Sequence, residues 1–100
     1  MSRRTIPAGL ISVQFQKITM NSTATFLNST AQTASAFLVS VETQSARVTF
    51  DGSTTPAATT GVLLTAANSP YFWEGVDGTK MKFARAASGA ILNVQAWRRP

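Results

Sequence analysis

The chain contains no cysteine and no histidine. The first absence excludes disulfides and thiol nucleophiles, and the two together exclude Cys/His metal sites and every histidine-dependent triad. The side chain that ordinarily titrates near neutrality is missing with them. Charge is also scarce, at 13% of residues, about half the usual ~25%. No run approaches the ~18 consecutive apolar residues of a membrane-crossing helix. Acid is scarcest of all, limited to Glu42, Asp51, Glu74 and Asp77. Glu74 and Asp77 flank Gly75 in a turn-like segment, whereas paired catalytic carboxylates must face each other across a cleft. No G-x-S-x-G, S-x-x-K, phosphate-cradling glycine loop or calcium-loop pattern occurs. These absences predict a protein that is not an enzyme and carries no cofactor or metal.

What is present is hydroxyl and alanine: 10 Ser, 14 Thr and 15 Ala among 100 residues. Apolar residues make up 44%, so low charge is joined to ordinary hydrophobicity, the reverse of a disordered tail. The length suits one domain with one modest core. Nine basic residues against four acidic ones leave a net charge of +5, which favours acidic partners. The basic residues are dense only at the two termini and over 80–85.

Periodicity is mostly two. Apolar residues alternate with polar ones at Ile11, Val13 and Phe15; at Phe37, Val39 and Val41; at Val48 and Phe50; at Met81 and Phe83; and at Leu92, Val94 and Ala96. Each segment reads as a strand with one apolar face. Turn signals lie between them, and Asp77-Gly78 is the best hairpin candidate, joining Tyr71-Phe72-Trp73 to Lys80–Arg85. The stretch 29–36 is a short helix candidate, and pairing of 10–19 with 36–43 is an equal alternative. The fold predicted is all-β: a single small antiparallel β-sandwich or barrel-like domain over residues 10–100, of six to eight strands, with an extended arm over 1–9. Its expected interior is Val13, Phe15, Phe37, Val39, Val48, Phe50, Met81, Phe83, Leu92 and Val94.

Three features are candidates for binding. Two Trp and seven other aromatics are hard to hide in one thin core, so a neighbouring chain is expected to bury Tyr71, Trp73 or Trp97. In the arm, Arg3 and Arg4 can make charge-assisted hydrogen bonds to an acidic neighbour while Ile6 fills a small pocket. Lys80, Lys82 and Arg85 are expected to form a basic row on one strand face, either as a solvated edge or, beside exposed aromatics, as a nucleic-acid groove. A single-stranded nucleic-acid-binding module and a carbohydrate-binding module using Trp73 or Trp97 are therefore the alternatives to a protein-binding role, with nucleic acid the less favoured partner.

The stretch Ala46-Arg47-Val48-Thr49-Phe50-Asp51-Gly52, followed by a Thr/Pro/Ala loop through Thr60, the strand Gly61-Val62-Leu63-Leu64 and a last strand Ile91 to Trp97, resembles small β-rich structural proteins of tailed bacteriophages. The resemblance covers roughly residues 46–97 and not the first 45. Asp51-Gly52 turns the chain, Pro56 stiffens the loop and Gly61 lets it re-enter the sheet. The resemblance implies a non-enzymatic virion component, assembled in the host cytoplasm. It would be a capsid decoration (cement) protein in many copies or a head–tail or tail accessory protein. The implied partners are capsid or neck proteins and further copies of the chain, and no membrane.

Overall fold

Among the described residues, alternating apolar and β-branched residues produce eight strands: β1 (Ile11–Thr19), β2 (Thr25–Phe26), β3 (Ala36–Glu42), β4 (Ala46–Thr49), β5 (Val62–Leu64), β6 (Tyr71–Glu74), β7 (Lys82–Arg85) and β8 (Ile91–Arg98). The computed structural model describes residues 9–20 and 25–99. The predicted arm, with Arg3, Arg4 and Ile6, therefore lies outside the described residues except for Gly9. The strands form two antiparallel four-stranded sheets, ordered β1-β8-β3-β6 and β2-β7-β4-β5, as the all-β reading required.

The core lies between the sheets. Phe37, Val39, Leu92 and Val94 from one sheet and Val48 and Phe83 from the other are fully buried, with Met81 beside them. Each such side chain contributes about 1.5–3 kcal/mol by leaving water. Seven of the ten residues expected inside are there. Val13 and Phe50 are half-buried against the core, and Phe15 is 57% exposed.

Phe15 is a correction, and a β-bulge causes it. Ser12 is opposite Trp97 and Gln14 opposite Ala96, so Val13 is an extra residue in the β1–β8 ladder. An inserted residue reverses the side to which everything after it points. Val13 and Ile18, five positions apart, can then both reach the core, and Phe15 turns to the outer face.

The predicted hairpin at Asp77-Gly78 is also corrected, because β6 and β7 belong to different sheets. Asp77 instead caps a short 3-10 turn, its carboxylate accepting hydrogen bonds from the Thr79 N–H at 3.0 Å and the Thr79 hydroxyl at 2.6 Å. These bonds to the ionised form hold the Asp77 carboxyl below its ordinary value. The stretch 29–36 holds only one three-residue 3-10 turn, Ala31–Thr33. Nor does β1 pair with β3, since both flank β8.

A loop over residues 51–61 folds onto the second sheet. Arg47 holds it, donating from Nη1 to the Gly61 carbonyl at 3.0 Å and from Nε to the Ala58 carbonyl at 3.3 Å. Buried Thr49 adds a hydroxyl bond of 2.8 Å to the Thr54 carbonyl. At the loop's start the Asp51 carboxylate accepts from the Thr54 hydroxyl and from the N–H groups of Thr54 and Ser53. With Thr54 the largest cause, these bonds lower the Asp51 carboxyl from 3.8 to about 2.

Candidate functional site

The outer face of the β1-β8-β3-β6 sheet carries an apolar band that the sequence periodicity did not reveal. Cross-strand register aligns Phe15 with Gln95, Gln95 with Leu38, and Leu38 with Phe72, one residue from each of the four strands. The adjoining row places Ser12, Trp97, Ala36 and Glu74 side by side. Phe72 and Trp97 meet edge-to-face across these rows, with ring centroids 6.2 Å apart. Phe15, Leu38 and Pro70, together with Ser40, Ser69, Asn93 and Gln95, line a shallow groove of about 370 Å³.

Polar groups around the groove are fixed by one another. Gln95 Nε2 donates to Ser12 Oγ at 2.9 Å, and Asn93 Nδ2 donates to Glu42 Oε2. The Ser69 hydroxyl donates to the Thr65 carbonyl at 2.9 Å and accepts from the Val41 N–H at 3.0 Å. Charge stands at the margins: Lys17 beside Asn93 at one end, and the Arg99–Glu74 ion pair at the other. Among the described residues, the groove lining contains no charged residue. The face is suited to exclude water against another apolar surface and to align it through amide and hydroxyl groups. Its lining offers no acid–base pair.

The candidates read from the sequence fall in several places. Trp97 is half-buried on this outer face. Tyr71 and Trp73, expected to await a neighbouring chain, instead pack against the protein's own core. The register requires this, because Trp73 is opposite Phe37 and Tyr71 opposite Val39, both inward-facing. Tyr71 also accepts a hydrogen bond of 2.9 Å from the Thr65 N–H through its hydroxyl oxygen. Phe72, the middle aromatic, takes the outer side of the sheet opposite Leu38 but is itself only 4% exposed, with Trp97 packed against it.

The basic row dissolves in the same way. Lys80 ends the 3-10 turn. Lys82 points outward, with its ammonium 5.3 Å from the centre of the Phe26 ring, and Arg85, three residues on, takes the opposite side of the strand. Phe15 and Leu38 are the site residues missed. The available signal was Val13 and Ile18, an odd number of positions apart, which strict alternation cannot place on one face.

Comparison with protein-family models, with curated proteins and with solved structures gives no match.

Proposed function

We propose that this chain is a non-enzymatic structural protein of a bacteriophage virion, a decoration protein that lays the outer face of its β1-β8-β3-β6 sheet on the protein shell of the particle in many copies. The observation that carries the reading is Phe15, a large aromatic left 57% exposed beside an uncharged groove. An exposed apolar patch rimmed by polar groups is characteristic of a protein-binding surface. The phage-like stretch from Ala46 to Leu64 supports the choice of particle, and the hydroxyl-rich composition suits a protein that works against other proteins. A head–tail or tail accessory role would use the same face on a different part of the particle.

The test is to add purified protein to particles that lack it and count bound copies by gel densitometry, with electron microscopy to locate them. Saturable, many-copy binding that falls at least tenfold in affinity for Phe15→Asp, a loss of about 1.4 kcal/mol or more, is the expected outcome. Binding confined to the neck or tail selects the accessory role. Phe15→Asp and Trp97→Ala variants that bind like the parent would overturn the proposed face.

A further inference from the structure

An amine, an amide and a carboxylate stand in line across three strands of the β1-β8-β3-β6 sheet, on its outer face. Lys17 of β1, the strand that ends the sheet, is directly opposite Asn93 of β8. Residues so paired hold their Cβ atoms about 4.5–5.5 Å apart. A lysine stem is long enough to bring its amine across that gap to the amide carbon. On the other flank of β8 is β3, whose Glu42 accepts a hydrogen bond at Oε2 from Asn93 Nδ2. The register explains the contact: Asn93 is opposite Ser40, and Glu42, two residues further on, shares its face. The amide nitrogen of Asn93 is therefore already on the carboxylate, while its carbon is left to the lysine.

Glu42 is followed by a strained turn. Thr43 has φ 73°, in the left-handed region that a β-branched residue rarely enters. The Gln44 N–H donates to the Glu42 carbonyl at 2.8 Å and closes the turn around it. Strain of this kind persists where the surrounding structure imposes it, and it clusters at working sites.

We infer that Lys17 and Asn93 join in an isopeptide bond, with Glu42 carrying the proton. Unprotonated Lys17 Nζ attacks Asn93 Cγ. Glu42 takes a proton from that nitrogen and passes it to Nδ2. The Cγ–Nδ2 bond then breaks and ammonia leaves. One carbon–nitrogen bond forms, one breaks, the carboxylate is restored, and no oxidant or cofactor is consumed. Lys17 and Glu42 are exposed, so the ammonia escapes to solvent. Attack needs the amine unprotonated, so the bond accumulates slowly after folding. A chain without cysteine has no disulfide to hold an edge strand, and this bond would stop β1 from peeling away from β8. The inference does not rest on the particle-binding reading, because all three groups belong to one chain.

Intact-mass spectrometry of the purified full chain tests it. After a week of incubation the mass should lie about 17 Da, one ammonia, below that of the linear 10.6 kDa chain. Tryptic digestion should yield a branched peptide in which Lys17 is joined to Asn93. Lys17→Arg and Asn93→Ala should each keep the full mass while showing the parent's circular dichroism. Glu42→Gln should form the bond at least about a hundredfold more slowly, the usual contribution of a positioned acid–base group. A parent that keeps its full mass, or one that loses ammonia without the branched peptide, would overturn the inference. So would a branched peptide at Lys17 in Asn93→Ala. Glu42→Gln reacting at the parent's rate would overturn the role of Glu42.

Discussion

The Phe50 ring meets the Trp73 ring edge-on, with centroids 5.0 Å apart and planes at 90°. Phe50 directly follows β4 of one sheet and Trp73 lies on β6 of the other, so the pair closes one end of the space between the sheets. Both side chains are half-buried against the core. Phe50→Ala should therefore cost about 1–3 kcal/mol, less than the about 3–5 kcal/mol expected for Phe37→Ala in the full interior. Urea unfolding of both variants measures the difference. In a Trp97→Phe background, Trp73 fluorescence should shift to longer wavelength when Phe50 is removed.

A second close approach lies at Gly78. A Cβ there would sit 2.9 Å from Phe37 Cζ and 3.0 Å from the Gln32 carbonyl oxygen. Phe37 is held by the core around it and Gln32 presents backbone, so neither can yield cheaply. Gly78→Ala should destabilise the fold by about 1–3 kcal/mol, the usual cost of overpacking. The added cost of Gly78→Ala should be smaller in a Phe37→Leu background, where only the Gln32 backbone still crowds the Cβ. A denaturation midpoint for Gly78→Ala equal to the parent's would contradict this contact.

The Asp51 turn should respond to acid. Its carboxyl is lowered from 3.8 to about 2 by bonds to Thr54 and Ser53. A lowered native value means that the contribution to stability is present above 3.8 and is lost as the pH falls through about 2. Because Thr54 is tied to Thr49 of β4, amide signals of residues 49–54 should shift together in that window. Thr54→Ala should move the Asp51 titration upward toward 3.8, as followed by carboxyl carbon chemical shift.

Replacing Phe15 separates folding from binding. It is 57% exposed, so Phe15→Ser should change stability by no more than about 0.5 kcal/mol. A loss as large as that expected for Phe37→Ala would place Phe15 in the core and remove it from the proposed docking face.

The sequence alone determined that this is a β protein, and it located most of the interior. Period-two runs put Phe37, Val39, Val48, Phe83, Leu92 and Val94 inside because side chains alternate strictly along a regular strand. That the chain turns at Asp51 and Asp77 was legible too, since turn signals are local; the carboxylate bonds that hold those turns came only with the structure. Tertiary structure decided which strands are neighbours and which side of each faces in. Asp77-Gly78 marks a turn, but nothing local states whether the chain returns to the same sheet or crosses to the other. Tyr71-Phe72-Trp73 is apolar in both alternations, so only pairing with β3 could send Phe72 outward. In β1 a single inserted residue reversed the faces and left Phe15 exposed on the outer side. Local pattern fixes the period of a strand, whereas its phase is set by the ladder it joins, through contacts distant in sequence.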